Sequence, residues 1–371
     1  MLLLRAAAAA AAAAEDAESS AISRMFTSHR SPQPPPTPVH VSDVSGRILN
    51  RTIIVLSVFT AVGALALLHL LFIACQHIYT LFLRPSSLPK YLDKTRGSYA
   101  LVTGSTEGTG TEFARELCRY GFNIVLHGRN PEKLSHVEAS LRREFPLAKF
   151  RHFIFDASQP THSLDEAVTR TLHDIPLAIL VNNVGGTGGQ IRSQYTTLKG
   201  HTNDEADRII NVNLRFMTQL TRVLLPLLER HSPALIVNIS SVTAVGMPYL
   251  TVYAGTKAYI QSFTNGLNME MKAEGKQIDV MSMVLASVQT AGNPLGRGFF
   301  VPTPDKIARS SLRRVGCGCV SVTPYWRHRL QKLAMDVLPA ALVRRLVVYN
   351  IKGLKAEEDE QERRKATNPA E

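Results

Sequence analysis

Cysteine is scarce in this chain, and its scarcity excludes a small secreted domain held together by disulfides. Four cysteines and a single tryptophan occur among 371 residues. So few thiols in so long a chain do not form the disulfide framework of a small secreted domain. Cys317 and Cys319 lie close together, but no second pair or histidine cluster accompanies them, whereas a structural zinc takes about four ligands. We therefore expect free thiols in a reducing compartment and no metal site.

Acidic residues are outnumbered by basic ones, and this limits the partners of the protein. The chain has 42 Lys and Arg against 30 Asp and Glu, which gives a net charge of +12 at pH 7. Such a charge suits an acidic partner. The sequence contains no recognisable nucleic-acid module and no basic stripe interleaved with aromatic residues. The charge therefore predicts an anionic membrane face or a phosphate-bearing ligand, and no nucleic acid.

The N-terminal part of the chain lacks the residues of a packed core. An alanine run at 6–14 and a proline-rich stretch at 31–38 cannot bury enough apolar surface to fold. We therefore predict a disordered segment at residues 1–46. The first residues also weakly resemble a targeting peptide, and that alternative stays open.

Residues 53–75 contain no Asp, Glu, Lys or Arg. At about 1.5 Å per residue, a helix over this stretch slightly exceeds the roughly 30 Å hydrocarbon core of a bilayer, so we predict a transmembrane anchor. Basic residues are more frequent close to its C-terminal side, at 84, 90, 94 and 96, than close to its N-terminal side, at 47 and 51. The positive-inside rule then places the folded domain in the cytosol.

From residue 98 onward, short apolar runs alternate with amphipathic stretches, which is typical of βαβ units. The predicted strands are 99–103, 123–127, 150–155, 178–182, 234–240 and 279–284, and predicted helices include 112–120, 131–145 and 204–228. Continuous apolar strands are typical of a parallel sheet covered on both faces. We predict one α/β domain over residues 98–322, with a doubly wound, Rossmann-type parallel sheet.

The C-terminal part divides into two predicted segments. Residues 323–354 form an amphipathic extension in which the apolar stretch 330–346 contains Arg344 and Arg345. This stretch is either a membrane-surface helix with basic residues at the headgroups or a helix that caps the domain, and the sequence does not separate the two. Residues 355–371 form a charged, solvated tail.

A glycine-rich turn follows the first predicted strand. Gly104, Gly108 and Gly110 occur in the pattern G-x3-G-x-G, and no Gly-Lys-Ser/Thr of a P-loop follows. Glycines here allow a tight turn and a close approach of the backbone to a pyrophosphate, which the N-terminus of the next helix favours. The alternative is an ordinary loop between a strand and a helix.

Residues at the ends of the next strands indicate which nucleotide is bound. Arg129 follows the second strand, where no acidic residue is present. An arginine there pairs with a 2′-phosphate, so we predict NADPH in preference to NADH. A solvated surface arginine is the alternative. Asp156 ends the third strand and either meets the adenine amino group or caps a helix. Asn182 and Asn183 end the fourth strand, where side-chain amides can join neighbouring strands and face the ribose.

The reactive group consists of Ser241, Tyr253 and Lys257. Residues four apart on a helix share a face, so the Lys257 ammonium is expected beside the Tyr253 phenol. A free phenol has a pKa near 10, and a nearby cation lowers it toward neutral pH. Ser241 would orient a substrate carbonyl. Asn213, in the helix after the fourth strand, either holds a water in a proton chain or faces solvent.

With these motifs in this order and spacing, the chain resembles the short-chain dehydrogenase/reductase superfamily over about residues 98–300. The resemblance implies a catalytic tetrad of Asn213, Ser241, Tyr253 and Lys257. It also implies contacts with the cofactor, which are Gly104, Ser105, Gly108, Gly110, Arg129, Asp156, Asn183, Tyr253, Lys257, Val288 and Thr290. Two departures stand out: Thr109 replaces a bulky apolar residue, which would loosen the first helix, and 285–287 lacks the usual Pro-Gly.

Within that superfamily, the N-terminal anchor, the segment 253–257 and Thr323-Pro324-Tyr325-Trp326 resemble the very-long-chain 3-oxoacyl-CoA reductases, which are related to 17β-hydroxysteroid dehydrogenases. This resemblance implies NADPH-dependent reduction of a 3-oxoacyl-CoA in fatty-acid elongation at the endoplasmic-reticulum membrane. It leaves open a homodimer and partners in an elongation complex. A steroid, retinoid or secondary-metabolite ketone is the alternative substrate, and a non-catalytic membrane scaffold is the alternative outside enzymology.

Overall fold

The computed structural model describes residues 41–187, 193–291, 293 and 298–367. It divides the chain into two compact units, one that ends at Ile73 and one that starts at Ala74. Most of the segment predicted to be disordered, residues 1–40, lies outside the described residues. So do parts of two loops, at 188–192 and at 292 and 294–297.

The first helix, α1, spans Val41–Ile78. It contains a stretch, Leu49–Gln76, that is long and apolar enough to cross a membrane, with a mean hydropathy of 2.4 and none of it buried. Because α1 begins at Val41, residues 41–46, which we predicted to be unfolded, are helical. Gly46 does not interrupt this helix, since a glycine costs only about 1 kcal/mol in a helix interior.

The second unit is built on a seven-stranded, fully parallel sheet. Its strands are β1 Tyr99–Val102, β2 Asn123–Gly128, β3 Phe150–Ile154, β4 Leu177–Asn182, β5 Ala234–Ser241, β6 Ile278–Leu285 and β7 Ser321–Val322. Their order is β3-β2-β1-β4-β5-β6-β7. All six predicted strands are confirmed, with ends that differ by no more than one residue. The sequence missed β7, which has only two residues.

Helices cover both faces of the sheet. They are α2 Gly108–Arg119, α3 Pro131–Glu144, α4 Leu164–Leu172, α5 Asn203–Ile210, α6 Phe216–Arg230, α7 Thr251–Ala273 and α8 Pro304–Arg313, followed by α9 Trp326–Val337 and α10 Ala340–Thr367. One core cluster contains Phe113 of α2 and Leu312 of α8. The other contains Leu220 of α6 and Met271 of α7. Apolar strands therefore have cover on two sides, as the doubly wound prediction requires.

The second unit starts before residue 98, our predicted domain boundary. Leu88 and Tyr91 lie in a short 3-10 helix, Leu88–Tyr91, and are buried in the first core cluster. The Tyr91 hydroxyl and the Lys90 ammonium both donate hydrogen bonds to Asp279 of β6. The residues between α1 and β1 are thus part of the packed unit.

The predicted helix 204–228 is interrupted. Between α5 and α6 lies one π-helical turn, Asn211–Arg215. Inside it the Asn213 amide donates to the Ile209 carbonyl at 2.9 Å, four residues back. A side chain that takes a backbone carbonyl in this way competes with the regular ladder. Amphipathic spacing predicted the helices on either side but not the turn that joins them.

The C-terminal segments also differ from the prediction. The stretch 330–346 is divided between α9 and α10 at Pro339, which lacks the N–H that would continue the helix. The predicted boundary between 354 and 355 does not exist, because α10 runs through it to Thr367. Pairs four residues apart, Lys355 with Asp359 and Arg364 with Glu360, support helix in the charged part.

Candidate active site

The candidate site lies at the carboxyl edge of the sheet, where β1 stands between β2 and β4. The chain leaves β1 and β4 toward opposite sides there, which opens a crevice, and such a switch point is where doubly wound folds bind ligands. The ends of β1, β2, β4, β5 and β6 all reach this edge. They carry the glycine turn, Arg129, Asn183, Ser241 and the loop after Leu285.

The glycine turn is required by its geometry. Gly104 and Gly108 have φ of +65° and +60°, in the left-handed region that favours glycine. At Gly110 a Cβ would lie 2.0 Å from the Gly104 carbonyl oxygen and 2.7 Å from the Asn183 amide nitrogen. No side chain fits in the space at Gly110, so the backbone of this turn requires glycine at all three positions.

The N-terminus of α2 is open for an anion. Glu107 precedes it without making a capping hydrogen bond, and the first turn contains no acidic residue. By contrast, the Asn130 side chain caps α3 by accepting from the Lys133 N–H at 2.9 Å. Beside α2 opens a cleft of about 550 Å³. Backbone N–H groups without a protein partner at a helix N-terminus fit the pyrophosphate of a dinucleotide.

The turn rests on His127, a residue that the sequence analysis did not single out. Its Nδ1 accepts from the Gly104 N–H at 3.2 Å, and burial lowers its pKa to about 3, so the ring stays neutral. Ser105, predicted as a cofactor contact, is fully buried, and its hydroxyl donates to the His127 carbonyl at 3.2 Å. The Ser105 side chain therefore holds the turn.

Asn183 fastens β4 to the glycine turn. Its amide donates to the carbonyls of Thr103 and Gly104 at 3.0 and 3.3 Å, and its oxygen accepts from the Thr109 hydroxyl at 2.8 Å. Thr109 thus tethers α2, and our prediction that it would loosen the helix is wrong. Next to it, Asn182 joins β4 to Asn238 of β5 at 2.8 Å. The predicted role of these amides in joining strands is confirmed.

Two basic residues, Arg129 and Lys133, follow the end of β2. Arg129 is exposed just past β2. This position is compatible with binding of a ligand and equally with a solvated surface residue. Lys133, which the sequence analysis did not name, lines the cleft and lies 3.8 Å from the Glu107 carboxylate. Asp156 accepts from the Ser158 N–H and hydroxyl at 3.0 and 2.8 Å. It does not cap a helix, because Ser163 is the residue before α4.

The loop after β6 reaches back to α2. A Cβ at Gly108 would lie 3.3 Å from the Thr290 methyl group, so predicted Thr290 stands at the open helix N-terminus. Val288 is almost fully buried. His328 of α9 holds this loop: its Nδ1 accepts from the Ala286 N–H at 3.1 Å, and its Nε2 lies 3.1 Å from the carbonyls of both Ser287 and Phe300. A lone histidine far along the chain gave no signal in the sequence.

Tyr253 and Lys257 lie on one face of α7, as predicted. The Lys257 ammonium is 5.4 Å from the centroid of the Tyr253 ring and donates to the Ile239 carbonyl at 3.1 Å. Ser241, at the end of β5, accepts from the Thr243 N–H at 3.1 Å and forms a hydrogen bond with the Tyr253 phenol. The phenol, the ammonium and the serine hydroxyl are thus brought together.

The pKa of Tyr253 shifts upward, whereas the sequence predicted a downward shift. Burial raises the pKa of Tyr253 to about 12, although the hydrogen bond with Ser241 acts in the opposite direction. Burial also lowers the pKa of Lys257 to about 8. Sequence spacing showed that the two groups are neighbours, but the loss of water around each of them sets the direction of both pKa shifts. At neutral pH the phenol therefore carries its proton.

Asn213 is fully buried, so the alternative that it faces solvent is wrong. Its oxygen accepts from the Gly186 N–H at 3.0 Å, and its nitrogen donates to the Gly186 carbonyl at 2.6 Å. At Gly185 a Cβ would lie 2.9 Å from both the Asn213 oxygen and the Lys257 nitrogen. The carboxamide and the ammonium therefore flank the same glycine.

These features define a dinucleotide-dependent oxidoreductase, and the comparison with known proteins agrees. The short chain dehydrogenase family matches residues 98–294, more than half of the chain. The chain belongs to this family of NAD(P)-dependent oxidoreductases.

The chain is similar to relatives of two kinds. A very-long-chain 3-oxoacyl-CoA reductase-like protein of Arabidopsis thaliana is 34% identical over 296 residues, which are 76% of this chain and 89% of the relative. A very-long-chain 3-oxoacyl-CoA reductase of Coprinopsis cinerea is 27% identical and covers 82% of this chain and 92% of its own. A putative steroid dehydrogenase 1 of Caenorhabditis elegans is 29% identical, with 78% and 91% covered.

Solved structures share the fold. A 7beta-hydroxysteroid dehydrogenase superposes with a TM-score of 0.59 at 20% identity, over 68% of this chain and 97% of its own. A short-chain dehydrogenase from Sphingobium yanoikuyae in complex with NADPH has a TM-score of 0.52 at 22% identity, over 66% and 96%. These likenesses support the Rossmann-type architecture.

Proposed function

We propose that this protein is an NADPH-dependent ketoreductase that converts a 3-oxoacyl-CoA to the 3-hydroxyacyl-CoA in very-long-chain fatty-acid elongation. The observation that carries the proposal is the protonated Tyr253 phenol, held by Ser241 and next to Lys257 at the carboxyl edge of the sheet. A protonated phenol beside a serine hydroxyl and an ammonium can donate its proton to a carbonyl oxygen as that carbonyl is reduced. The two reductase relatives act as support for the substrate class.

In the proposed mechanism, the glycine turn and the loop after β6 would hold NADPH, whose chemistry there would be hydride donation to a carbonyl carbon. Ser241 hydrogen-bonds the carbonyl oxygen and orients it, and Tyr253 donates its proton to that oxygen. Lys257 stabilises the phenolate that remains, because its ammonium lies beside the ring. Asn213 and Lys257 flank Gly185, and we assign to this pair the return of a proton to Tyr253 through a water.

NADPH, in preference to NADH, is proposed from the adenosine side of the crevice. Arg129, exposed just past β2, and Lys133, which lines the cleft beside α2, are our candidates to pair with a 2′-phosphate, and no acidic residue ends β2. Replacement of Arg129 by Asp should lower the preference for NADPH over NADH at least tenfold, because the carboxylate repels the 2′-phosphate and accepts from the ribose hydroxyls. Unchanged preference would assign the arginine to the solvated surface.

We place the enzyme in the endoplasmic-reticulum membrane with the second unit in the cytosol. The apolar stretch of α1 is long enough to span a bilayer, and the basic residues after it favour the cytosolic side. Protease protection of the tagged N-terminus in sealed microsomes tests the orientation. Digestion of the second unit from the outside is the expected result.

The substrate is tested with membranes that contain the full chain, by following NADPH oxidation across a panel of ketones. We expect turnover with long-chain 3-oxoacyl-CoA, and turnover at least about a hundredfold lower with the Tyr253→Phe variant in the same membranes. Turnover of a steroid ketone instead would select the second candidate, reduction of a steroid or other lipid ketone, which the putative steroid dehydrogenases among the relatives support. An acyl-CoA substrate also agrees with the excess positive charge of the chain.

A further inference from the structure

Helix α9 presents an apolar stripe that no part of the described chain covers. Trp326, Leu330, Leu333 and Val337 follow one another at helical spacing, and their exposed fractions are 41, 50, 50 and 73%. Helix α10 repeats the pattern with Leu342, Leu346 and Tyr349, exposed by 43, 45 and 78%. Soluble surfaces rarely leave so many large apolar residues together in water.

Both helices are nevertheless fixed to the second unit. The buried His328 ring binds α9 to the loop after β6. Near the other end, the Glu358 carboxylate of α10 accepts from the Ser193 hydroxyl at 2.6 Å and from the backbone N–H groups of Gln194 and Tyr195 at 2.8 and 3.1 Å. The helices are therefore held in place while their apolar residues point outward, which a loosely attached tail would not require.

The charges around the stripe select its partner. Residues 326–349 contain five Lys and Arg but one acidic residue, Asp336, and Asp336 is paired with Lys332 at 2.8 Å. Two copies of so basic a surface would repel each other, whereas anionic headgroups would attract it. The apolar set begins with a tryptophan and ends with a tyrosine, the residues enriched at the boundary between lipid and water.

The aromatic residues connect the stripe to the crevice. Trp326 meets Phe299 edge to face at 6.1 Å, and the Arg327 guanidinium lies over the Phe299 ring at 3.8 Å. Phe299 and Phe300 are also exposed, and the Phe300 carbonyl is one of those held by His328. The stripe thus starts at the segment that follows the loop after β6.

We propose that the α9 stripe, continued by the apolar residues of α10, lies in the headgroup region of the membrane. This makes a second, interfacial contact of the second unit with lipid, in addition to the span in α1. The contact would hold the Phe299–Phe300 segment at the bilayer surface, so that a lipid substrate need not cross water to reach the crevice. The surface contact itself stands independently of which ketone is reduced.

Trp326 is the only tryptophan in the chain, so its fluorescence reports on the stripe alone. The test uses the full chain reconstituted into vesicles of phosphatidylcholine and phosphatidylserine, in which some acyl chains carry bromine near the headgroups. We expect blue-shifted emission that brominated lipid quenches and aqueous acrylamide does not. In the Leu330→Glu/Leu333→Glu variant, lipid quenching should fall by roughly half or more, since each glutamate must stay hydrated.

The matched control is Leu147→Glu, because Leu147 is 95% exposed and lies outside both helices. It should leave the quenching unchanged. Circular dichroism and thermal unfolding in detergent check that the double variant still folds. Quenching by acrylamide but not by lipid would overturn the proposal and show a solvated face. Shielding from both quenchers, together with cross-linking between chains, would overturn it in favour of an interface between copies.

Discussion

Two regions of the second unit differ in how far they bury leucines at helical spacing. In the sheet and its covering helices, leucines such as Leu224 of α6 are fully buried. In α9, Leu333 repeats at the same helical spacing but is half exposed. Periodicity predicts a helix with an apolar face in both cases, yet it does not say what the face meets. The first face is covered by other parts of the chain, whereas none of the described residues covers the second.

The largest expected effect tests the chemistry on the buried side of this comparison. Tyr253→Phe removes one oxygen from the crevice and should reduce turnover by about 10²- to 10⁴-fold, the usual contribution of a general acid. Cofactor binding, measured by the fluorescence of bound NADPH, should change little. Leu333→Ala removes three carbon atoms from the exposed stripe and should leave turnover in detergent unchanged. Equal losses in the two variants would contradict the assignment of Tyr253.

The second test concerns stability and compares the two leucines directly. Leu224→Ala leaves a cavity between α6 and the sheet, so the free energy of unfolding should fall by about 2–5 kcal/mol. Leu333→Ala should change it by less than about 0.5 kcal/mol, because that side chain is only half buried. Urea unfolding of the detergent-solubilised chain measures both. A cost at Leu333 as large as that at Leu224 would show that α9 packs against the chain itself.

The third test uses the buried charge of Lys257. Its folded pKa of about 8 lies below the ordinary value near 10.4, so at neutral pH the charged form destabilises the folded state. That penalty is full below about pH 8 and disappears as the pH rises toward about 10.4, where the unfolded chain also loses the proton. Lys257→Met should therefore raise the free energy of unfolding at pH 7 by about 2 to 3 kcal/mol and abolish turnover.

Unfolding measured at several pH values checks whether Lys257→Met stabilises or destabilises the folded chain. The advantage of Lys257→Met over the parent should shrink between about pH 8 and about pH 10.4. A variant that is less stable than the parent at pH 7 would mean that the hydrogen bond to the Ile239 carbonyl outweighs the desolvation of the ammonium.

The smallest expected effect concerns His328, which joins the two regions. His328→Ala leaves the Ala286 N–H and two carbonyls without their partner, at a cost of about 1–3 kcal/mol. It should also raise the KM for the ketone more than the Kd for NADPH, because the segment at Phe300 is released. His328→Gln keeps a donor near the carbonyls and should recover part of the KM. Equal KM values in all three proteins would leave His328 with a structural role alone.

Much of the architecture was accessible from the sequence, and the exceptions have physical reasons. Continuous apolar runs identified β1 to β6, because a strand buried on both faces is apolar at consecutive positions. Strand β7 has only two residues, which are too few to form a recognisable apolar run. The glycines were correct because positive φ and close backbone approach tolerate nothing larger.

The exceptions in the site arise from contacts between distant residues. His127 and His328 act through backbone groups far away in the chain, which no local pattern records. The proximity of Lys257 to Tyr253 followed from helical spacing, but the direction of the Tyr253 pKa did not. That direction depends on how much water the fold removes, and removal of water is a property of the assembled unit.

The π turn at Asn211–Arg215 constrains how this enzyme can vary. One extra residue in a helix rotates everything after it by about 100°, so the register of α6 already includes the surplus. Deleting a residue there would restore a regular spiral, but it would swing Phe216, Leu220 and Leu224, all now buried, away from the sheet. The number of residues in the turn Asn211–Arg215 is therefore constrained as strongly as their identity. We expect insertions and deletions among related sequences to lie outside this turn.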